Sequence, residues 1–147
     1  MSVLPGITFL EHTADVGLDV EAPSAELLFH RAGAGMLALL RGQEEDAPDP
    51  AREADPQAVE TRTVRLDAGD RAALLKAWLR ELLLLHETGD ADYAGVTFYE
   101  LAERRLEARV RTAPAAPAVR EIKGVTYHEL KVEQTDSGWK ARVIFDV

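Results

Sequence analysis

The sequence predicts an α+β fold, one domain over residues 1–147, in which a mainly antiparallel sheet carries two helices. Two observations lead to that class. Strand-like alternation and helix-like spacing succeed each other along the chain, and several short strands crowd into its last third. A chain of 147 residues is also long enough to bury one substantial core.

The first elements are two short strands and a helix. Ile7–Glu11 is an apolar run, and Leu18–Glu21 alternates as a strand does. Ser24 is placed to cap a helix, and Gly42 suits the end of that helix because glycine adopts the left-handed conformation without strain. We therefore expect two strands leading into the first helix.

Residues 43–55 change the character of the chain. They include six acidic residues, one arginine and two prolines, with no apolar side chain larger than alanine. We interpret the segment as an acidic surface loop inside the single domain, because the strand that follows still needs a partner for its apolar face.

A strand and a second helix follow this loop. Val59–Leu66 has strand character, Asp70 can cap the helix, and Gly89 closes it. Leu82–Leu85 makes the end of the helix apolar nearly all round, so we expect it to be covered on more than one side. One apolar stripe runs along the helix: Leu75, Trp78, Leu79 and Leu82.

The last third of the chain is predicted to be all strand. Val96–Phe98 and Leu106–Val110 are expected to pair with each other. Val125–Gln134 and Trp139–Val147 are interpreted as two final strands around the turn-forming Thr135–Gly138.

Composition excludes several classes of function. The chain has 26 acidic and 17 basic residues, a net charge of −9, which disfavours direct binding to nucleic acid. The absence of cysteine excludes disulfides, thiolate metal sites and a cysteine nucleophile. No apolar run reaches the length of a membrane span and the start lacks a basic signal sequence, so we expect a soluble, cytoplasmic protein.

The first candidate for chemistry is the segment His12-Thr13-Ala14-Asp15, where a histidine, a hydroxyl and a carboxylate lie at a junction between strands. The structural alternative is a turn in which Asp15 bonds its own backbone. On local grounds the turn is the favoured interpretation, because short polar turns between strands are common.

The end of the chain is the second candidate. Strand alternation puts Asp146 on the face opposite the apolar residues, with the α-carboxylate of Val147 beside it. If Asp15 met Asp146 in space, the donors would all be oxygen, which suits Ca²⁺, Mg²⁺ or Mn²⁺. Sequence spacing alone does not show that they meet.

A third candidate is the segment from Lys123 to His128. By alternation His128 shares a face with Leu130 and Val132, so a half-buried, hydrogen-bonded histidine is the expectation rather than a catalytic one.

Four blocks of sequence together resemble the archease family, and they occur in that family's order from one end of the chain to the other. They are Glu11–Gly17, Trp78–Leu83, Lys123–His128 and Arg142–Val147. The resemblance implies a compact α+β domain related to duplicated strand–helix–strand–strand modules.

The resemblance also implies an accessory function. Archeases activate an RtcB-type RNA ligase in tRNA splicing and RNA repair, promoting guanylylation of the ligase histidine and multiple turnover, and they are described as chaperone-like. The implied metal ligands are Asp15, Asp146 and Val147, with calcium the usual ion. His12, Lys123 and His128 would be surrounding or partner-contacting residues.

These implications define the expected partners. The ligase is the protein partner, RNA is met only indirectly through it, and neither DNA nor a membrane is involved. One competing interpretation is a metal-dependent phosphoester hydrolase that uses the same aspartates to activate water. The other is a structural or general chaperone module that binds through exposed apolar surface and does not need the aspartates.

Overall fold

The computed structural model describes residues 6–11, 15–42, 60–89, 91–114 and 117–147. His12 and the predicted acidic loop at 43–55 lie outside the described residues. The described elements, in chain order, are β1 (Ile7–Glu11), β2 (Asp15–Ala22), α1 (Ala25–Arg41), β3 (Glu60–Asp67), α2 (Arg71–Gly89), β4 (Ala91–Leu101), β5 (Arg105–Pro114), β6 (Gly124–Val125), β7 (Lys131–Thr135) and β8 (Gly138–Asp146).

The strands form two antiparallel sheets. One sheet has five strands in the order β1-β2-β8-β6, with β7 also pairing with β8, and the other has three strands in the order β3-β5-β4. The α+β prediction is confirmed, and the single predicted sheet is divided into two.

Both helices lie between the two sheets. A Cβ at Gly35 of α1 would approach Leu18 of β2, whereas one at Gly33 would approach Leu82 of α2. Trp78 of α2 packs against Phe98 of β4. Because each helix is covered from both sides, apolar residues are needed almost all round it. The outer face of each sheet carries most of its polar residues, although Ile144 on the outer face of β8 is only 2% exposed.

The helix ends follow the predicted capping. The Ser24 hydroxyl accepts the Leu27 backbone N–H at 3.1 Å, and Gly42 ends α1 with φ 67°. At the second helix, Asp70 Oδ1 accepts the Ala73 N–H at 2.8 Å. These caps satisfy backbone groups that a helix leaves unpaired at its ends.

The predicted stripe of α2 is buried as expected. Leu75, Trp78 and Leu79 have no exposed surface, and Leu82 is 1% exposed. Leu84 departs from the expectation of a fully covered helix end, because 41% of it is exposed.

The prediction of one continuous strand over Val125–Gln134 is wrong. The segment forms β6 and β7, separated by a turn in which the Leu130 N–H donates to the Tyr127 carbonyl at 3.2 Å and Glu129 has φ 52°. Both short strands pair with β8. The turn contains the residues that lie between these two paired segments. Among the described residues, no helix is long and apolar enough to cross a membrane.

Candidate functional site

The candidate site lies at one end of the pairing between β2 and β8. These strands run antiparallel, with Val16 opposite Phe145 in the core. Asp15, the first residue of β2, is opposite Asp146, the last residue of β8. The fold thus brings together the two carboxylates that the sequence places near opposite ends of the chain.

The two carboxylates share the solvent face of the sheet. Val16 and Phe145 are buried, so the alternation of each strand turns the neighbouring aspartates outward. Asp15 is half-buried and Asp146 is exposed. Directly opposed residues in an antiparallel pair have Cβ atoms about 5 Å apart, and like charges at that distance are destabilising unless a cation offsets them.

The end of the chain is anchored from two sides. Val147 is half-buried and packs against the core, and the Asp146 carbonyl accepts the Lys123 backbone N–H at 2.7 Å. Gly124 is the partner of Asp146 on the third strand, and a Cβ there would meet nothing within 4 Å. Space is therefore open beside Asp146 while its backbone is fixed.

The donor atoms of this pair are carboxylate oxygens, which a hard divalent cation prefers. Two carboxylates do not fill its coordination sphere, so further ligands are needed. Within the described ranges, no group of three histidine, cysteine or acidic side chains is placed to hold a metal. In those same ranges neither Asp15 nor Asp146 forms an ion pair with a basic side chain. A cation here would bind both carboxylates and take further oxygens from Val147, the backbone or water.

Comparison with known proteins identifies the family. The model of the Archease protein family (MTH1598/TM1083) matches residues 8–147. This chain belongs to the archease family. Protein archease of Methanosarcina mazei is 30% identical, with 95% of this chain and 94% of the relative covered. Protein archease of Methanopyrus kandleri is also 30% identical, with 94% and 96% covered.

Two solved structures support the archease fold. The solution structure of Methanobacterium thermoautotrophicum protein 1598 matches with a TM-score of 0.69 and 27% identity, covering 97% of this chain and 99% of that one. The crystal structure of an archease, "possible chaperone", from Thermotoga maritima matches with a TM-score of 0.57 at 21% identity, covering 94% of each chain. At that identity the second likeness concerns the fold alone.

Two of the other residues implied by the archease resemblance, Lys123 and His128, are among the described residues. Lys123 is exposed and adjoins Asp146 through its backbone, and His128 lies in the turn between β6 and β7. Their roles beside a metal or a partner stay predictions, as do the ligand roles of Asp15, Asp146 and Val147.

The expectation of a half-buried His128 is wrong. Its side chain is 70% exposed, with Nε2 3.5 Å from Glu129 Oε2. The expectation assumed strand alternation through position 128, but the turn interrupts the strand there and points the imidazole into solvent.

A second pair of residues lies further along the same strands. Asp19 is opposite Arg142 and accepts two hydrogen bonds from its guanidinium, each 2.7 Å long. The Arg142 hydrogen bonds hold the pKa of Asp19 below its ordinary value of 3.8, against a smaller opposing effect of burial. The same contact raises the pKa of Arg142. Glu129 also lies 3.4 Å from Arg142, which ties the turn to the sheet.

Sequence reasoning missed a buried polar cluster at the ends of the helices. Asp92 is 1% exposed, and it pairs with Arg41 and with His86 Nδ1, the latter at 2.8 Å. Nearby, His30 hydrogen-bonds the hydroxyl of Tyr93, and burial raises the pKa of that hydroxyl well above its ordinary value. The available signal was an aspartate inside an apolar stretch of strand, since a buried carboxylate needs partners.

Proposed function

We propose that this chain is a metal-binding accessory protein that activates an RtcB-type RNA ligase in the cytoplasm, in tRNA splicing and RNA repair. It would promote guanylylation of the ligase's own histidine and allow repeated turnover. The chain itself would carry out no bond-making step. Membership of the archease family supports the accessory role, and the observation that carries the proposal is the Asp15–Asp146 pair.

The proposed ligands are Asp15, Asp146 and the α-carboxylate of Val147, with calcium the expected ion and magnesium or manganese the alternatives. Three carboxylates suit such hard cations, and binding would offset the repulsion between the opposed aspartates. A bound divalent cation supplies positive charge that attracts and orients phosphate oxygens. Lys123 and His128 are the described side chains that we propose as neighbours or partner contacts.

The exposed position of the Asp15–Asp146 pair suits a metal that acts on a docked partner rather than in a cavity of this chain. Asp146 is exposed, and no side chain crowds the adjacent Gly124. A metal held there would face outward from the sheet and would be accessible to a docked protein. The net charge of −9 would favour association with the basic surface expected of a ligase that binds RNA.

The direct test measures guanylylation of the purified ligase with GTP, with and without this protein, at limiting divalent metal. Asp15→Asn and Asp146→Asn keep the shape of the side chain and remove its charge, so both should abolish stimulation. Asp136→Asn, at an exposed aspartate in the turn between β7 and β8, is the matched control and should stimulate normally. Calcium titration by calorimetry should show binding to the native protein and to the control variant only.

Each result would decide a separate part of the proposal. Absence of stimulation by the native protein would contradict ligase activation. Full stimulation by either variant at the site would contradict the metal centre and would favour a chaperone acting through another surface. Hydrolysis of a phosphodiester by the purified protein alone would favour the hydrolase alternative.

A further inference from the structure

The three-stranded sheet has an outer face that the proposed function does not use. Its central strand β5 alternates buried Leu106, Ala108 and Val110 with outward residues. Both helices pack on the inner face, so the outward residues of all three strands lie on the solvent side. On β5 those residues are Arg105, Glu107, Arg109 and Arg111.

One end of this face has arginines without opposing carboxylates. In one row of the sheet Arg109 lies between Thr63 and Thr97, and in the next Arg111 lies between Thr61 and Gly95. We call these five side chains, Thr61, Thr63, Thr97, Arg109 and Arg111, the arginine–threonine rows.

The other end of the same face has more carboxylates than arginines. Arg65 lies 3.7 Å from Glu107, and Arg105 lies 3.2 Å from Asp67 and 4.0 Å from Glu100. Positive charge is therefore concentrated at the arginine–threonine rows, in a chain whose overall charge is −9.

The two arginines of the rows differ in how they are held. Arg111 donates from Nη1 to Thr97 Oγ1 at 2.9 Å and from Nη2 to the Val96 carbonyl at 3.3 Å. A Cβ at Gly95 would lie 2.8 Å from Nη2, so the missing side chain gives the guanidinium room to lie across the sheet. Arg109 is exposed and forms no ion pair with any described residue.

An exposed aromatic ring adjoins the rows. Tyr99 is 58% exposed and lies two residues beyond Thr97, at the irregularity where the register between β4 and β5 shifts. Its neighbour Phe98 packs against the core, so Tyr99 projects away from the core. The face thus combines guanidinium groups, hydroxyl groups and one solvent-exposed ring.

We propose that the arginine–threonine rows and Tyr99 bind single-stranded RNA directly. Guanidinium and hydroxyl donors suit phosphate oxygens, and an exposed ring on an open sheet suits stacking of an unpaired base. Arg109 and Arg111 are spaced about 7 Å apart along their strand, a separation comparable with that of successive phosphates. An unpaired base offers the ring a flat face on which to stack, which a carboxylate side chain does not.

The choice of RNA over DNA rests on the proposed function, whereas affinity for a single-stranded phosphodiester chain does not. Two arginines neutralise about two phosphates, so log affinity should fall against log salt with a slope of at most about 1.4, and screening of the repulsion from the chain's net negative charge makes the fall smaller. Direct binding of this kind would replace the expectation that the chain contacts RNA only through the ligase.

The test is fluorescence anisotropy of a labelled single-stranded RNA of about 12 nucleotides with the full chain and no ligase, in roughly 50 to 200 mM salt. Tyr99→Ala should weaken binding about tenfold through lost stacking. Arg109→Gln should weaken it and reduce the slope of log affinity against log salt by about 0.7. Arg80→Gln removes an equal charge from an exposed position on α2 and should leave both quantities unchanged.

Three results would overturn this inference: no binding by the native chain at the lowest salt, equal losses in Arg109→Gln and Arg80→Gln, or more effective displacement by polyglutamate than by unlabelled RNA. The last would assign the face to an acidic protein. Equal binding of a DNA strand of the same sequence would remove the RNA preference. Asp15→Asn and Asp146→Asn should bind RNA normally, so failure here and failure of the metal centre are distinguishable.

Discussion

Two rows of the same sheet arrange their carboxylates differently: in one row a carboxylate is opposite an arginine, and in the other two carboxylates are opposite each other. Both lie on the outer face of the β2–β8 pair, four residues apart along each strand. In one row Asp19 is opposite Arg142, which donates two hydrogen bonds to it. In the other row Asp15 is opposite Asp146, and no described basic side chain pairs with either.

The difference separates a carboxylate that serves the fold from carboxylates available to a ligand. Arg142 satisfies Asp19 within the chain, and its hydrogen bonds lower the pKa of that carboxyl. Asp15 and Asp146 repel each other, so their row gains from any cation that arrives from outside. Supplying the second row with its own cation should therefore greatly weaken its binding of a metal.

Asp146→Arg makes that change and should have the largest effect. A guanidinium opposite Asp15 would reproduce the Asp19–Arg142 arrangement and remove one ligand, so calcium affinity should fall by roughly 100-fold or more. The unfolding midpoint without calcium should rise slightly, by about 1–3 °C, because a like-charge contact becomes an attractive one at the surface. Calorimetric titration and thermal unfolding in chelator measure the two effects.

Asp146→Asn is the control for this substitution. It removes the same carboxylate without adding a cation, so it should lose calcium binding and gain less stability than Asp146→Arg. Calcium affinity retained in Asp146→Arg would show that the pair is not the metal centre.

Gly17 lies on β2 between the two rows. A substitution there tests whether the close approach of β2 and β8 keeps both rows in position. A Cβ there would come within 2.7 Å of both Ile144 Cδ1 and the Val143 carbonyl. Gly17→Ala should therefore force β2 and β8 apart, reducing the free energy of unfolding by about 1–3 kcal/mol. Calcium affinity should fall with it, because the spacing between the carboxylates depends on the same two strands.

Gly124→Ala is the matched substitution on the other side of β8, where a Cβ meets nothing within 4 Å. Chemical denaturation should show no loss of stability in this variant. Equal losses in the two variants would mean that the close approach of Gly17 to Ile144 is not what makes glycine necessary.

The sequence identified the residues of the proposed metal site but not that they lie opposite each other. Asp15 and Asp146 were each identifiable as oxygen donors at the end of a strand. Their opposition depends on which strands pair and in what register, and those depend on the whole topology. Only the family resemblance linked the two residues before the register was known.

The remaining differences each have a separate physical cause. The apolar residues Val125 and Tyr127 fall at odd positions and Leu130 and Val132 at even ones, so this change of phase was the available signal for the turn, in which Glu129 has φ 52°. The division into two sheets was accessible in principle, because a helix that is apolar nearly all round needs cover on opposite sides. The buried Asp92 cluster depends on contacts between three elements, which a linear pattern does not encode.

Arg142→Gln tests the paired row and should have the smallest effect. The pKa of Asp19 is lowered in the folded state, so the pairing contributes stability that is fully present above its ordinary value of 3.8. That contribution is lost as the pH falls through the lower folded pKa. The variant should unfold no more than about 3 °C below the native protein at neutral pH, because the pair is partly exposed.

The pH dependence distinguishes this pairing from mere packing of the arginine side chain. The difference between the thermal midpoints of the native protein and Arg142→Gln should shrink as the pH falls below 3.8, the ordinary pKa of an aspartate, and through the lowered pKa of folded Asp19. In an Asp19→Asn background, Arg142→Gln should cause little further loss at any pH. A constant difference across the acid range would instead assign the effect to packing of the Arg142 side chain. The contrast between the rows would then depend only on Asp15 and Asp146.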